Sequence, residues 1–218
     1  MSTVVFDFDS TIISCESLEM ILENNLRASP EKAERIREIT EQGIRGALPF
    51  GESLRLRLSI ASPTRSQVEE FGKKALEWVT PGVEELISEL LESKAEVWIV
   101  SGGLRESLLP VAKKLQVPEN RVLGVSLKWG EDGSFAGIDP DDPFSRSKWE
   151  GVKRHIDGWR RPIIAVGDAM SDYLLYEKGL VDRFILFTQY FRCEELVKKH
   201  PVEAATMEDV KALITKWI

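Results

Sequence analysis

Two hydrophobic patterns alternate along most of the chain. Short continuous runs of β-branched and aromatic residues at 3–8, 97–100 and 163–166 predict strands that are buried on both faces. Between these runs, apolar residues that recur every three or four positions at 83–91 and 104–115 predict amphipathic helices. Strands that alternate with helices are typical of a doubly wound parallel sheet, so we predict an α/β fold of that class.

Weaker elements continue the pattern to the end of the chain. The Glu-Asp-Gly sequence at 131–133 predicts a hairpin turn, because Asp-Gly pairs adopt the backbone angles that tight hairpins need. The other predicted elements are strands at 121–128, 184–187 and 202–205, and helices at 147–156 and 208–217. We therefore expect the sheet to gain strands from the carboxy-terminal part of the sequence.

Residues 17–78 interrupt the alternation, because they show only the helical pattern. Ser29-Pro30 places a capping residue before a proline, the arrangement that favours the start of a helix. The predicted helices lie at about 18–26, 30–42, 50–60 and 63–78. We interpret 17–78 as an inserted helical domain, and residues 1–16 together with 79–218 as the α/β core.

Composition excludes several classes of protein. The 218 residues include 29 Lys and Arg against 36 Asp and Glu, a net charge of −7, which argues against nucleic-acid binding through a general basic surface. No apolar run approaches the roughly 18–20 residues of a membrane span, and the acidic start predicts no secretory signal. Cys15 and Cys193 are too isolated for a disulfide framework or a zinc site. We expect a cytoplasmic monomer or homodimer with reduced thiols.

Polar residues follow the ends of three predicted strands, where a parallel sheet binds its ligands. They are Asp7 and Asp9, the Ser101-Gly102-Gly103 sequence, and Asp168 with Asp172, while Lys148 precedes the strand that leads to Asp168. Each feature alone has an ordinary explanation: a strand-end cap, a turn, the start of a helix or a surface charge. Their order at successive strand ends favours a shared site.

The predicted edge is rich in carboxylates, which repel one another unless a cation is present. Mg²⁺ prefers oxygen ligands and commonly binds one or two carboxylates together with a substrate phosphate. Such a site suits a phosphate dianion that is attacked by an anionic nucleophile. Lys148 and the metal would offset the repulsion, and Ser101 with nearby amides would hold the phosphate oxygens.

These residues resemble the four motifs of the haloacid dehalogenase superfamily, and within it most closely the phosphoserine phosphatase family. The motifs are Asp7-Phe8-Asp9-Ser10-Thr11, Ser101-Gly102-Gly103, Lys148, and Gly167-Asp168-Ala169-Met170-Ser171-Asp172. The resemblance spans nearly the whole chain, since the helical insertion falls where this family places its cap domain. It implies a capped α/β phosphatase that takes a small phosphomonoester.

The resemblance implies a role for each motif residue. Asp7 is the nucleophile that forms an aspartyl-phosphate, and Asp9 protonates the leaving alcohol and then activates water. Ser101 and the Gly102 amide bind phosphate oxygens, while Lys148 steadies the charge of Asp7 and of the phosphate.

The same resemblance implies a magnesium site. The Asp7 side chain, the main-chain carbonyl of Asp9 and the side chain of Asp168 would bind Mg²⁺ directly. Asp172 would support this metal site from close by.

Three further residues point to the substrate through the resemblance. Glu16 lies where the family places a glutamate that meets the substrate amine, and Phe50 and Arg57 match a cap phenylalanine and arginine that enclose the substrate. The implied substrate is L-phosphoserine, which connects the protein with serine biosynthesis. Without the resemblance, Arg57 is a surface arginine of an amphipathic helix and Glu16 an acid at a helix start.

Other functions stay open at this point. Ala169, Ser171 and Leu104 differ from the residues that phosphoserine phosphatases usually carry there, which affects the substrate more than the reaction. The first alternative is therefore a phosphatase of the same superfamily that acts on another small phosphorylated metabolite. The second is a protein that binds such a metabolite without turnover, which the presence of both Asp7 and Asp9 disfavours.

Overall fold

A computed structural model describes residues 2–27, 29–200 and 202–218. Six parallel strands form the central sheet in the order β3-β2-β1-β6-β7-β8, and β4 and β5 form a separate antiparallel pair. The strands are β1 (Thr3–Phe6), β2 (Glu96–Leu104), β3 (Val122–Val125), β4 (Leu127–Trp129), β5 (Phe135–Ile138), β6 (Ile163–Gly167), β7 (Arg183–Phe187) and β8 (Glu203–Ala204). The predicted α/β class with a parallel sheet is confirmed.

Helices cover the sheet and extend over one of its edges. They are α1 (Ser17–Leu26), α2 (Pro30–Ile44), α3 (Phe50–Ile60), α4 (Arg65–Lys74), α5 (Val83–Glu92), α6 (Arg105–Lys114), α7 (Lys148–Val152), α8 (Met170–Glu177), α9 (Glu194–Lys199) and α10 (Met207–Thr215). Pro30 occupies the start of α2 as predicted. None of the described helices is long and apolar enough to cross a membrane.

Strand β1 lies at the centre of the sheet and determines where the sheet can bind a ligand. It pairs with β2 on one side and with β6 on the other, and the strands of the first and second halves of the chain extend outward from it in opposite directions. All residues of β1 and β6 are buried, as their continuous apolar sequences predict. The resulting change of direction opens a crevice at the carboxyl ends of β1 and β6.

The predictions were wrong in several local details. Ser101 to Gly103 belong to β2 rather than following its end, although the pairing of β2 with β3 shifts register between Val100 and Leu104. The predicted strand 121–128 is divided, because β3 joins the main sheet while β4 pairs with β5. Of the predicted helix at 147–156, only α7 forms as an α-helix. A separate short 3-10 turn follows at 156–158. Helix α9 was not predicted.

Residues 17–78 contain α1 to α4 and a 3-10 turn over Ala75–Trp78, with no strand in the part that the structure describes. Helix α4 packs on α6 so closely that a Cβ atom on Gly72 would lie 3.0 Å from the Ser107 carbonyl oxygen. Just after the end of α2, a Cβ atom on Gly46 would lie 2.6 Å from the Cγ atom of Met170, the first residue of α8. This helical segment therefore covers the carboxyl edge of the sheet, while its status as a separate domain stays a prediction.

Candidate active site

A buried ion cluster lies where β1 ends. The Asp7 amide donates a hydrogen bond to the Val166 carbonyl at 2.8 Å, which fixes Asp7 at the mouth of the crevice between β1 and β6. The Lys148 Nζ atom donates to Asp7 Oδ1 at 2.5 Å and to Asp172 Oδ1 at 2.7 Å, and all three side chains are only 4% exposed. Burial disfavours the ammonium, but the charges of Asp172 and Asp7 outweigh it and raise the pKa of Lys148. Lys148 is therefore a cation that the protein itself neutralises.

Asp168 adds a third carboxylate to this cluster. It directly follows β6, and oxygen atoms of Asp7, Asp168 and Asp172 all lie within 4.8 Å of one another. The buried Asp168 Oδ2 atom has no hydrogen-bond partner among the described residues. Burial, followed by the charge of Asp7, raises the pKa of Asp168 well above its usual range and that of Asp172 to about 7. One ammonium does not balance three carboxylates, and the donor set fits a divalent cation that prefers oxygen.

Gly167 makes the close approach of these acids possible. A Cβ atom at this position would lie 2.4 Å from the Asp172 Cγ atom, so any larger residue would displace the carboxylate. The Asp172 Oδ2 atom also accepts a hydrogen bond from the Ala169 amide at 3.2 Å. The turn from β6 into α8 therefore holds Asp172 beside Asp168.

Asp9 is hydrogen-bonded to the start of α1 and lines the same cavity as the ion cluster. Its Oδ1 atom accepts from the Ser17 amide at 3.0 Å, and its Oδ2 atom accepts from the Ser17 hydroxyl at 2.9 Å. Burial raises the pKa of Asp9 well above its usual range, the charges of Glu16 and Asp7 raise it further, and the Ser17 hydrogen bonds oppose them. A carboxyl group with a raised pKa can hold a proton near neutrality, as a general acid must.

Glu16 is held by a tight turn in the first motif. Ser10 has a φ angle of 51°, in the left-handed region that costs a residue with a side chain about 1 kcal/mol. This conformation lets the Ser10 hydroxyl donate to Glu16 Oε1 at 2.8 Å, while the Ser10 amide donates to the Cys15 carbonyl at 3.3 Å. Burial raises the pKa of Glu16, and the Ser10 hydrogen bond and the charge of Arg57 oppose the shift. The turn therefore positions an acid close to Asp9.

The second motif brings backbone, not a side chain, to the site. Gly102 lies beneath the Phe50 ring, so closely that a Cβ atom at 102 would be 2.5 Å from Phe50 Cε2. Ser101 is fully buried, and its Oγ atom accepts a hydrogen bond from the Gly103 amide at 2.8 Å. Gly102 and Gly103 line the cavity described below, whereas Ser101 lies behind them. The predicted contact of Ser101 with phosphate stays a prediction.

Arg57 is a second buried cation, carried by α3. Arg57 is only 8% exposed. Its Nη1 atom donates a hydrogen bond to Thr40 Oγ1 at 3.4 Å, and its buried Nε atom has no hydrogen-bond partner among the described residues. Burial lowers the pKa of Arg57, and the charges of Glu16, Glu19 and Asp9 oppose the shift. Because a guanidinium stays protonated in proteins, Arg57 is a buried positive charge with no carboxylate in hydrogen-bonding contact among the described residues.

One cavity of about 70 Å³ joins these groups beneath the helical segment. Its walls include most of the predicted site residues, namely Asp7, Asp9, Glu16, Phe50, Arg57, Gly102, Lys148 and Asp168, together with Thr40, Ala169 and Ser171. Asp172 and Ser101 stand behind this wall. The cavity has acids and Lys148 at the sheet edge, and Glu16 and Arg57 nearer the helices.

Three hydroxyl side chains that form hydrogen bonds with predicted site residues were not predicted from the sequence. Ser10 holds Glu16, Ser17 holds Asp9, and Thr40 contacts Arg57. A signal existed for Thr40, since it occupies a polar position in the buried stripe of α2 beside Ile36 and Ile39. No comparable signal marked Ser17, because its contact with Asp9 depends on the turn between β1 and α1.

Comparison with known proteins agrees with this geometry. The family model of haloacid dehalogenase-like hydrolases matches residues 4–177, which include every residue of the cluster. The chain belongs to this family. The chain is therefore an enzyme of the hydrolase class. The superfamily predicted from the four motifs is confirmed.

Phosphatases are among the relatives of this hydrolase. It is 33% identical to the chloroplastic phosphoserine phosphatase of Arabidopsis thaliana over 86% of its own length and 63% of that protein, so it spans less than two thirds of that relative. It is 33% identical to the phosphoserine phosphatase of Bos taurus over 78% of its own length and 74% of the relative. The crystal structure of a phosphoserine phosphohydrolase-like protein from Francisella tularensis superposes with a TM-score of 0.95 at 38% identity, covering 98% of this chain and 100% of that one.

Proposed function

We propose that this hydrolase is a magnesium-dependent phosphatase of L-phosphoserine that works through an aspartyl-phosphate on Asp7. One observation carries the proposal: a single small cavity is lined by the acids of the sheet edge and also by Glu16 and Arg57. L-Phosphoserine has a phosphate, an ammonium and a carboxylate. In this proposal the phosphate binds at the cluster once a divalent cation offsets its carboxylates, the ammonium binds at Glu16, and the carboxylate binds at Arg57. The names of the relatives support the same substrate.

In the first step, Asp7 attacks the phosphorus atom. Lys148 holds the Oδ1 atom of Asp7, so Oδ2 is the attacking oxygen. A bond forms between Oδ2 and phosphorus while the bond between phosphorus and the serine oxygen breaks, and Asp9 gives its proton to that oxygen. Lys148 offsets the negative charge that the two reacting groups bring together.

In the second step, the aspartyl-phosphate is hydrolysed. Asp9 is now a carboxylate, and it takes a proton from a water molecule that attacks the phosphorus atom. The bond between phosphorus and Asp7 breaks, which releases inorganic phosphate and restores the Asp7 carboxylate and the Asp9 acid. The hydrogen bonds from Ser17 keep Asp9 at one location through both steps.

The metal site of this proposal uses the Asp7 and Asp168 side chains and the Asp9 carbonyl, with Asp172 in support. The fit rests on the unpartnered Asp168 Oδ2 atom and on the excess of carboxylate charge over Lys148. When bound, Mg²⁺ supplies positive charge that lets a phosphate dianion approach these acids.

Residues 17–78 act in this proposal as a cap domain on the core formed by 1–16 and 79–218. The cap contributes Phe50 and Arg57, and it excludes bulk water while the phosphoryl group is transferred. Its close contact at Gly46 and Met170 supports this role, because Met170 lies between Asp168 and Asp172.

A phosphate-release assay over a panel of small phosphomonoesters tests the proposal. We expect the highest kcat/KM with O-phospho-L-serine, at least about tenfold above O-phosphoethanolamine, which lacks only the carboxylate. A chelator should abolish turnover, and Mg²⁺ should restore it. Preference for a sugar phosphate or nucleotide would reject the substrate and keep the reaction, whereas tight binding without turnover would identify a binding protein.

A further inference from the structure

Helices α2 and α3 pack tightly against each other at Gly43 and Ser53. A Cβ atom on Gly43 would lie 2.9 Å from the Ser53 Oγ atom, and that hydroxyl donates to the Ile39 carbonyl at 3.3 Å. Thr40 lies about one turn before Gly43, and Arg57 about one turn after Ser53. Because the helices run in opposite directions, this crossing brings Thr40 against Arg57.

The Thr40 hydroxyl accepts from Arg57 and has no proton left for a ligand, because it donates that proton to the backbone of α2. Its Oγ1 atom donates to the Ile36 carbonyl at 3.0 Å and accepts from Arg57 Nη1 at 3.4 Å. Thr40 is 5% exposed and lines the cavity. An oxygen that offers only lone pairs attracts the guanidinium and repels a carboxylate, so Thr40 does not compete with Arg57 for an anionic ligand.

The contact with Thr40 occupies only the Nη1 atom of the guanidinium. Thr40 holds Nη1, while Nε is buried and has no partner among the described residues. Nε and Nη2 form one edge of the planar group, and that edge matches the two oxygens of a carboxylate. An arginine on a flexible side chain needs such a hold if the same edge is to face every substrate molecule.

We propose that Thr40 is a positioning residue that fixes the Arg57 guanidinium and thereby determines the preference for phosphomonoesters that carry a carboxylate. The proposal rests on the proposed function, in which Arg57 binds the substrate carboxylate. Thr40 contributes no atom to the reaction. Its effect is confined to substrate affinity through Arg57.

Kinetics of Thr40→Val and Thr40→Ser test the proposal. Thr40→Val keeps the shape and removes the hydroxyl, so we expect KM for O-phospho-L-serine to rise about tenfold with kcat within about twofold. KM for O-phosphoethanolamine should change less than about twofold, because that substrate has no carboxylate. Thr40→Ser restores the hydroxyl and should return KM for O-phospho-L-serine to within about threefold of the wild type.

Two controls separate positioning from a general structural effect. Ser62→Ala removes a similar hydroxyl bond, from Ser62 Oγ to the Leu58 carbonyl at 3.0 Å, without touching Arg57, and should leave both KM values unchanged. In an Arg57→Met background, Thr40→Val should add less than about twofold. Equal increases of KM for both substrates, failure of Thr40→Ser to rescue, or a full effect without Arg57 would each overturn the proposal. Thr40→Ala, a second variant without the hydroxyl, replaces Thr40→Val if the latter does not fold.

A measurement without substrate distinguishes this proposal from the proposed function. In nitrogen-15 NMR spectra of the free protein, the hydrogen bond should slow rotation of the Arg57 guanidinium in the wild type and in Thr40→Ser, and rotation should accelerate in Thr40→Val. If the wild type does not hydrolyse O-phospho-L-serine, the proposed function fails while these spectra still decide the contact. If it does hydrolyse this substrate and the spectra do not respond to Thr40→Val, the positioning proposal fails alone.

Discussion

Lys148 and Arg57 are both buried cations on the wall of one cavity, but their partners differ. Lys148 Nζ has carboxylate oxygens of Asp7 and Asp172 at 2.5 and 2.7 Å. Arg57 has one hydrogen bond in the described part of the chain, to the Thr40 hydroxyl at 3.4 Å, and its Nε atom has none. The protein therefore neutralises the first charge, and the second has no carboxylate in hydrogen-bonding contact within the described part of the chain.

This difference separates a charge that is paired inside the site from a charge that, in the proposed function, binds a ligand. Removing one partner of a buried ion pair is strongly destabilising, because the other charge is left uncompensated. A buried charge without a partner costs stability, and natural proteins keep such groups at functional sites. Substitution of Lys148 should therefore lower the free energy of unfolding, whereas substitution of Arg57 should leave it unchanged or raise it. Lys148→Met and Arg57→Met test this contrast, and Asp7→Asn tests the carboxylate that Lys148 neutralises.

The largest effect is expected for Asp7→Asn. This change removes the proposed nucleophile and keeps an oxygen that can accept from Lys148, so we expect kcat to fall at least about 10⁴-fold with a stable fold. Phosphate release measures the loss, and circular dichroism checks the fold. Asp157→Asn, at an exposed acid, is the matched control and should be silent. Turnover of Asp7→Asn at the wild-type rate would remove Asp7 from the mechanism.

An intermediate effect is expected for Lys148→Met. The change leaves Asp7 and Asp172 adjacent and buried without their cation, so we expect the free energy of unfolding to fall by about 3 kcal/mol and kcat by about 10³-fold. Urea unfolding and phosphate release measure the two losses. The exposed Lys153→Met variant controls for loss of a surface lysine. Unchanged stability would contradict the view that Lys148 is neutralised by the protein.

The smallest effect on turnover is expected for Arg57→Met. KM for O-phospho-L-serine should rise about 100-fold with little change in kcat, because a charged hydrogen-bonding partner of the carboxylate is lost. The free energy of unfolding should stay the same or increase, since a buried charge without a partner is removed. The exposed Arg55 lies on the same helix, and Arg55→Met provides the control. A marked loss of stability in Arg57→Met would erase the contrast with Lys148.

The acids of the sheet edge were predictable because their location depends on local sequence. A residue that directly follows a parallel strand lies at the carboxyl edge of the sheet, whatever the rest of the chain does. Asp7 and Asp168 follow β1 and β6 in this way, and the continuous apolar runs before them were sufficient to predict both strands. Lys148 came from its place in the order of the motifs, and its contact with Asp7 spans 141 positions of the sequence.

The partners of these residues were not predictable in the same way. Thr40 meets Arg57 because Gly43 lets α2 and α3 approach each other, whereas the predicted helix at about 30–42 stopped before this glycine. Ser101 appeared to follow a strand, but it lies inside β2 and faces the Gly103 amide. Both outcomes depend on packing between elements, which hydrophobic periodicity does not encode.

The amino-acid sequence by itself determined the α/β class, the parallel sheet and the acids at its edge, because periodicity and strand ends are local properties of a chain. Only the tertiary structure decided which of the charged side chains have a carboxylate partner among the described residues and which do not. That decision depends on distances of a few ångströms between side chains on separate elements, and such distances exist only once the helices have packed over the sheet.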